Sequence, residues 1–311
     1  MSTNEERREA ARRKLEERLE REKQAAKKRR LSMIAAAGVV VVAIAAVGGY
    51  FWWRSWDNGR HAQCTYADAP SDFKAQIDRL TQALPQAPAD QKAEVESLIK
   101  QLKDGSQKER KSAKPDDRPR NSGTADVTFT TDKGDISIAV DRSTAACNAN
   151  AFLTLASAGY YDDTGCSQLW NTENIRGLQC GDPTLTGIGA PGWSSPDEPP
   201  HGLRTVPIDP QTAQMGSPDA VIYPRGTVAI VNTNAEDGSR TNTGSGNFII
   251  FTKDSKLTPT LAVVGKVDRD GMKIVDQIAA GGIAPGPGST ATNGLPKTQL
   301  NITKASVSDD D

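Results

Sequence analysis

Residues 165–182 read GCSQLWNTENIRGLQCGD and carry two short strand patterns on either side of a polar turn. The first pattern covers 167–170 and the second covers 176–179. Short runs of this kind, bounded by turn residues, indicate neighbouring strands. Further along the chain, three stretches continue the pattern: RGTVAIVN at 225–232, NTGSGNFII at 242–250 and VVGKVD at 263–268. The C-terminal part of the chain is therefore predicted to be rich in β-strands.

Elements on both sides of this stretch complete the pattern. Alternating polarity at 127–131 and 135–140, around the sequence Asp132-Lys133-Gly134, predicts a β-hairpin. Further elements are predicted as helices at 145–156 and 272–278 and as strands at 228–232, 248–252, 262–267 and 300–305. Many strands with few helices predict a mainly β barrel or sandwich.

Taken in this order, the stretches resemble the active-site sheet of the cyclophilins, and the resemblance covers residues 126–306. It implies a closed eight-stranded barrel with two capping helices. It also implies peptidyl-prolyl cis-trans isomerase (rotamase) activity in protein folding, with proline-containing polypeptides as partners and no cofactor. Such activity speeds rotation about the X–Pro bond, which takes tens to hundreds of seconds without a catalyst.

The same resemblance implies a set of substrate-binding residues. Carried over position by position, they are Gln179, Asn232, Asn247, Ile249, Leu257 and Leu261. Gln179, Asn232 and Leu257 keep the residue type of the family. The other positions differ, since Asn247 replaces a Gln, Ile249 a Phe and Leu261 a His. Lys256 and Gly177 likewise stand where the family has Trp and Met, so the site is expected to be degenerate.

The catalytic arginine of the family is the most consequential difference. The family pattern Cys-His-Arg-Leu reads CSQL at 166–169, which puts Gln168 at the arginine position. A charged donor is worth roughly twice a neutral one, and losing such a donor costs roughly 10²–10³ in rate. Arg176 is not an obvious substitute because it lies on the second strand. We therefore expect weak or lost isomerase activity, or alternatively a pseudoenzyme that serves as an accessory or assembly subunit of a membrane complex, for example a respiratory one.

The N-terminal part of the chain has a different character. Residues 1–30 contain twelve Lys/Arg and seven Glu, and they are predicted to form a charged cytoplasmic tail with a basic collar at 27–30. Residues 31–53 contain no charge and span about 34 Å as a helix, enough to cross a bilayer. Aromatic residues at the far end favour an uncleaved signal anchor. The Lys/Arg bias predicts a single-pass protein of the cell membrane whose C-terminal domain is extracytoplasmic.

Residues 54–124 are predicted to form a helical hairpin and a linker. Ser71-Asp72 is predicted to cap a first helix with Phe73, Ile77, Leu80 and Leu84 at helical spacing. A second helix from Asp90 carries Val95, Leu98, Ile99 and Leu102. The hairpin packs on itself as a stalk or docks to another membrane protein. Residues 105–123 have the composition of a flexible linker. The barrel domain is then predicted at 125–308, followed by an acidic tail at 309–311.

All four cysteines follow the predicted membrane span, on the side where disulfides persist. The family fold would place Cys166 and Cys180 on neighbouring antiparallel strands, which makes them candidates to bond. Cys64 would then tie the segment after the membrane to Cys147, with free thiols as the alternative.

Several other functions are disfavoured. A net charge of −1 argues against nucleic-acid binding over the whole molecule. His61 and His201 lie far apart, so no metal site is expected. The sequence GIGAPG at 187–192 cannot open a phosphate-binding helix because Pro191 interrupts it. The insertion at 199–221 is predicted to be a surface loop suited to interactions.

Overall fold

The computed structural model describes residues 4–208, 218–235, 238–286 and 288–309. The chain divides into two compact units, Met1–Gly59 and Arg60–Asp311. In chain order the helices are α1 (Asn4–Arg60), α2 (Phe73–Ala83), α3 (Lys92–Ser106), α4 (Ala146–Ser157) and α5 (Arg269–Gly281).

The strands, in chain order, are β1 (Ala67–Ala69), β2 (Thr124–Thr131), β3 (Gly134–Asp141), β4 (Thr164–Asn171), β5 (Arg176–Asp182), β6 (Gly192–Ser194), β7 (Arg204–Val206), β8 (Ala220–Tyr223), β9 (Thr227–Ile230), β10 (Phe248–Phe251), β11 (Ser255–Leu257), β12 (Ala262–Val267), β13 (Asn293–Gly294) and β14 (Asn301–Asp309).

A single helix, α1, continues through the predicted tail and the predicted membrane span. Among the residues that the structure describes, none of the helices combines the length and the apolar character that crossing a membrane requires. The side chains at positions 32, 34–41 and 43 of the predicted span lie outside the described residues.

Eight antiparallel strands close into a barrel in the second unit. Their order is β4-β14-β2-β3-β12-β9-β10-β5, and the pairing of β5 with β4 closes the ring. Strand β13 adds to β4 outside this ring. The closed eight-stranded barrel that the family resemblance implied is confirmed by this closure.

The interior of the barrel is apolar and includes both predicted helices. Helix α4 contributes Phe152 and Leu155, and helix α5 contributes Met272, Val275 and Ile278 to the same core. Helix α4 begins without a side-chain cap of its own. The Glu198 carboxylate supplies one instead, accepting hydrogen bonds from the backbone N–H groups of residues 147 and 148 at 3.0 and 2.8 Å. A carboxylate at this end also suits the helix dipole.

The insertion at 199–221 is not only a surface loop, and this corrects the prediction. It contributes β7 and the start of β8, which pair with each other and, through β8, with β11. The strands escaped prediction because they are short and lie among Pro and Gly residues, which usually mark turns. The part of the insertion at 209–217 lies outside the described residues.

The predicted helical hairpin is present as α2 and α3, joined by a 3₁₀ turn at Leu84–Gln86. Its buried residues are Phe73, Ile99, Leu102 and Gly105. The Ser71-Asp72 pair does not cap α2 as predicted, because Asp72 makes no side-chain capping bond and the Ser71 hydroxyl accepts a hydrogen bond from the Ala190 N–H at 3.0 Å. The hairpin thus contacts the barrel domain as well as itself.

The segment predicted as a flexible linker follows the barrel surface through specific contacts. The Trp193 indole donates to the Ser112 carbonyl at 3.1 Å, and the Arg110 guanidinium donates to the Tyr160 carbonyl at 3.3 Å. The Lys114 ammonium lies 2.8 Å from the Asp68 carboxylate. Polar composition predicted a flexible linker, but the bonds with Tyr160 and Trp193 connect residues 110–112 to the barrel.

Both predicted disulfides are present. Cys64 bonds to Cys147 across 83 residues of sequence, and Cys166 bonds to Cys180 as a cross-strand pair of β4 and β5. The first disulfide ties the segment before β1 to helix α4. The second lies in the core, close to the residues singled out as candidate site residues.

Candidate functional site

A row of side-chain positions crosses four neighbouring strands on the outer face of the barrel. Gln168 on β4 lies opposite Gln179 on β5. Gln179 in turn lies opposite Ile249 on β10, and Ile249 lies opposite Ala229 on β9. Residues directly opposite each other on neighbouring strands share a face, with Cβ atoms about 4.5–5.5 Å apart. The register therefore brings three of the predicted site residues together.

The two glutamines of this row already have hydrogen-bond partners. The Gln168 amide nitrogen donates to the Asn293 side-chain oxygen at 2.8 Å, and the Trp170 indole donates to the Gln179 side-chain oxygen at 3.3 Å. Trp170 was not predicted as a site residue. Its position two residues after Gln168 on a strand puts both on one face, and this period of two was the available signal.

An apolar cluster lies beside the glutamines. It contains Ile249, Phe251 and Tyr223 as buried members, and Leu257, Leu261 and Trp170 pack against it. The Phe251 and Tyr223 rings stack with centroids 5.0 Å apart. The structure therefore gathers all three of the predicted apolar site residues, Ile249, Leu257 and Leu261, around an aromatic pair that the sequence analysis did not identify.

Tyr223 also fixes the loop that carries Leu261. Its hydroxyl donates to the Leu261 carbonyl at 3.2 Å and accepts from the Leu261 N–H at 3.1 Å. Burial raises the pKa of Tyr223 to about 12, against the smaller opposing effect of the Leu261 hydrogen bond. The hydroxyl therefore stays protonated and able to donate at neutral pH.

The insertion covers part of this cluster. Leu203, which precedes β7, and Val221 on β8 pack against it, and Ile249 is only 1% exposed. On the other face of the small sheet, Ile222 pairs with both Lys256 and Arg204. The small sheet of β7, β8 and β11 thus presents an apolar face to the cluster, and Arg204 and Lys256 lie on its opposite face.

Ile249 occupies space that Gly177 leaves open. A Cβ at Gly177 would lie 2.7 Å from two side-chain carbons of Ile249 and 3.0 Å from the Ile250 carbonyl oxygen. The absence of a side chain at Gly177 therefore allows the branched side chain of Ile249.

Substitution of Gly177 by alanine is expected to destabilise the protein by about 1–3 kcal/mol, the usual cost of overpacking a core. The Ile250 carbonyl belongs to the sheet and cannot move away. Chemical unfolding monitored by tryptophan fluorescence would measure the loss. Gly59→Ala is the control, because a Cβ there meets no atom within 4 Å. An unchanged midpoint for Gly177→Ala would contradict this packing.

Asn232 and Asn247 lie at the border of the cluster and bond to the backbone. The Asn232 amide donates to the Thr260 carbonyl at 2.7 Å, and the Asn247 amide donates to the Gly189 carbonyl at 3.2 Å. Asn247 is only 4% exposed, and its side-chain oxygen has no hydrogen-bond partner among the described residues.

Arg176 does not belong to the row. Leu178 packs in the core, so alternation along β5 puts Arg176 on the core-side face and Gln179 on the outer one. The Arg176 Nε donates to the Thr172 carbonyl at 3.2 Å, within the turn that precedes the strand. Its guanidinium therefore does not replace a cation at the Gln168 position.

A cavity of about 500 Å³ borders the row on the side of Asn247. Its walls come from the start of α2, from the loop at 187–190 and from the segment after β9. The loop is organised by Asp182, whose carboxylate accepts hydrogen bonds from the backbone N–H groups of residues 184, 186, 187 and 189.

Comparison with known proteins gives consistent matches over the barrel. A family profile described as "Cyclophilin type peptidyl-prolyl cis-trans isomerase/CLD" matches residues 126–307. The "Probable peptidyl-prolyl cis-trans isomerase B" of Mycobacterium leprae is 33% identical over 198 residues, covering 62% of this chain and 62% of the relative. The protein of the same description from Mycobacterium tuberculosis is 33% identical over 185 residues, covering 60% and 55%. The chain thus matches only about three fifths of these relatives' length.

Solved structures were also compared. A cyclophilin type peptidyl-prolyl cis-trans isomerase of Cryptosporidium parvum gives a TM-score of 0.42 at 21% identity, covering 60% of this chain and 99% of the other. The same protein in the presence of the dipeptide Ala-Pro gives a TM-score of 0.39 at 21% identity, with the same coverage.

Proposed function

The chain belongs to the cyclophilin-type peptidyl-prolyl cis-trans isomerase family, and from this premise we propose that its barrel binds proline-containing segments of other polypeptides with weak isomerase activity. The binding face is the row of Gln168, Gln179 and Ile249 together with the neighbouring apolar cluster. The substrate proline ring lies against Leu257 and Leu261, the partly exposed members of the cluster, next to the buried Ile249.

Prolyl isomerisation needs no nucleophile and no net proton transfer. The barrier comes from amide resonance, so a catalyst must hold the proline, grip the chain beside it and stabilise the twisted amide. In this protein the apolar cluster holds the proline, and the carboxamide of Gln179 binds the chain beside it. Gln168 is the nearest hydrogen-bond donor in the row that could stabilise the twisted amide.

The observation that carries the proposal is the neutral donor at Gln168. Its amide nitrogen already donates to Asn293 at 2.8 Å, so it must give up that bond before it can serve a substrate. A neutral, engaged donor stabilises a developing charge less than an arginine does. Peptide binding is therefore retained while catalysis is weak.

An exchange-NMR isomerase assay with an Ala-Pro peptide tests this. The wild type is expected to bind the peptide with little rate enhancement, and Gln168→Arg to gain about tenfold, part of the 10²–10³ attributed to one such donor. Gln168→Lys is the matched control, because it carries charge without the planar fork of donors. A large rate enhancement by the wild type that Gln168→Arg does not increase would contradict weak catalysis, and absence of peptide binding would contradict the whole proposal.

We further propose that residues 31–53 anchor the protein in the cell membrane, with the barrel on the extracytoplasmic side. Support comes from the 23 uncharged residues, the Lys/Arg excess before them and the two disulfides. The full chain should stay with membranes after alkaline carbonate extraction, and external protease should digest the barrel of intact spheroplasts. Release of the full chain by carbonate would contradict anchoring.

An accessory role in a membrane complex is the second candidate. It is favoured by the near-complete burial of Ile249, which the insertion helps to cover through Leu203 and Val221. A stoichiometric partner retained after mild detergent extraction would support this role. Isolation of the chain alone, together with measurable isomerase activity, would count against it.

A further inference from the structure

We propose that Trp170 is a positioning residue of the site. Its indole N–H fixes the side-chain amide of Gln179, so that the amide nitrogen faces outward and donates to a carbonyl of the bound peptide. This inference rests on the proposed function, because it assumes that a peptide lies on the row of Gln179 and Ile249. It assigns a role to Trp170, which is absent from the site residues that the family resemblance implied.

The register of β4 and β5 brings the two side chains within reach of each other. Gln179 lies opposite Gln168 and Trp170 lies opposite Gly177, so Trp170 is the diagonal neighbour of Gln179 on the outer face. Diagonal neighbours on adjacent strands are within reach of aromatic and long side chains. Because Gly177 has no side chain, no side chain of β5 lies directly opposite the indole ring. The indole nitrogen reaches the Gln179 side-chain oxygen at 3.3 Å.

The bond from Trp170 decides which end of the Gln179 amide is available to a ligand. A glutamine side chain offers one acceptor oxygen and one NH₂ donor group, whereas an indole N–H can only donate. The oxygen of Gln179 therefore faces Trp170. The amide nitrogen makes no hydrogen bond within the described part of the chain, and it is not one of the fully buried polar atoms without a partner, so it retains contact with solvent. A peptide carbonyl would supply the acceptor that this nitrogen lacks.

Trp170 is itself held in place on several sides. Its ring packs against the apolar cluster that contains Ile249, and its backbone lies between β5 and β13, opposite Gly177 and Asn293. A glutamine side chain that is free to rotate must lose rotamer freedom when it binds a ligand, and this loss reduces affinity. Because the bond from the indole restricts Gln179 before the peptide arrives, part of that loss has already occurred on folding.

The size of the effect follows from the strength of one hydrogen bond. A hydrogen bond between neutral groups corresponds to about two- to tenfold in an equilibrium constant. The bond from Trp170 is at the long end of the usual range of N–H···O distances, so an effect in the lower part of this range is expected. Trp170→Phe keeps an aromatic ring and removes the N–H, and it should weaken peptide binding about threefold.

A double-mutant cycle with the full chain tests whether Trp170 acts through Gln179. Affinity for an Ala-Pro peptide is measured by NMR titration for the wild type, Trp170→Phe, Gln179→Ala and the double variant. Trp170→Phe should weaken binding about threefold when Gln179 is present and should have no effect when alanine replaces it. An equal loss in both backgrounds would mean that the ring acts directly on the peptide or on the fold, and it would overturn the positioning role. The absence of any loss in the wild-type background would overturn it as well.

Leu257→Ala is the matched control for this cycle. Leu257 packs against the apolar cluster and is not a partner of the Gln179 amide. Its removal should therefore weaken peptide binding by the same factor whether residue 179 is glutamine or alanine.

The indole N–H signal of Trp170 tests the hydrogen bond without any peptide. It is observed with isotope-labelled tryptophan and assigned through the contacts of the ring with the apolar cluster. Gln179→Ala should move this signal upfield because the acceptor is lost, whereas Gln179→Glu, which keeps an acceptor oxygen, should leave it downfield. A signal that does not move in Gln179→Ala would overturn the inference, even if Trp170→Phe failed to fold.

The positioning role and the proposed function fail in different ways. If the wild type binds the peptide but the effect of Trp170→Phe does not depend on Gln179, only the positioning role is overturned. If the wild type binds no peptide, the proposed function is overturned, and the positioning role falls with it.

Discussion

Replacing Asp182 by alanine is expected to lower the free energy of unfolding by about 3–5 kcal/mol. The side chain is fully buried, and its two oxygens accept hydrogen bonds from backbone N–H groups at 2.8 Å (Thr184), 3.1 Å (Thr186), 2.6 Å (Gly187) and 3.3 Å (Gly189). Hydrogen bonds to charged groups contribute roughly 1.5–3 kcal/mol each, and orphaned donors keep their desolvation cost. The substitution removes the acceptor of several backbone N–H groups at once, so the free energy of unfolding falls by more than the contribution of a single hydrogen bond.

Urea unfolding would measure this effect, with Asp254→Ala as the control. The Asp254 carboxylate also accepts one backbone hydrogen bond, from the Arg225 N–H at 2.9 Å, but it is exposed. Asp254→Ala should lower the free energy of unfolding by less than about 1 kcal/mol, as surface substitutions usually do. Asp182→Asn should fall between the two, because it keeps one acceptor oxygen. A loss for Asp182→Ala no larger than for Asp254→Ala would contradict the role of the carboxylate in the loop.

The strand pattern of the sequence predicted a mainly β barrel or sandwich, and the resemblance to the cyclophilins specified a closed barrel. The row of Gln168, Gln179 and Ile249 followed from the family register, and the pairing of β4, β5 and β10 has these residues directly opposite each other. Trp170 was missed, although it is on the same face as Gln168. Alternation along a strand puts both residues on one face, but it does not distinguish a site residue from any other outward-facing residue.

Apart from the disulfides and the family register, contacts between distant segments could not be predicted. Tyr223 and Phe251 stack although they are 28 residues apart, and nothing in either local pattern indicates their contact. The capping of α2 was wrong for a related reason, because Ser71 bonds to Ala190 on a loop far along the chain. Local rules predict which groups need partners, but they do not specify which distant group supplies them.

The chain between the end of α1 and the barrel is the clearest case of this limit. Helical spacing of apolar residues predicted a hairpin stalk, and the polar composition of residues 105–123 predicted a flexible linker. In the structure β1 pairs with β6 and the Lys114 ammonium lies 2.8 Å from the Asp68 carboxylate. The covalent bond between Cys64 and Cys147 fixes the start of this segment against helix α4. We infer that the weak contacts of this segment can form because the disulfide already holds its start near the barrel. The disulfide reduces the entropy cost of bringing the segment to the barrel.

Removal of that disulfide by Cys64→Ala and Cys147→Ala is therefore expected to lower the free energy of unfolding substantially. Its sequence separation of 83 residues corresponds to about 4.5 kcal/mol of chain entropy at 25 °C. The Cys166–Cys180 disulfide, with a separation of 14, corresponds to about 3 kcal/mol by the same relation. Urea unfolding of the two double variants would measure both losses.

Removal of the two disulfides should also destabilise different parts of the chain. Without the Cys64–Cys147 bond, amide hydrogen exchange should accelerate at 61–72 and in α2, because the chain there is otherwise held by short pairings such as β1 with β6. The start of α2, which forms one wall of the cavity, would then no longer be connected to the barrel by a covalent bond. Unchanged exchange at 61–72 would mean that β1 and the Ser71–Ala190 bond hold the wall without the disulfide.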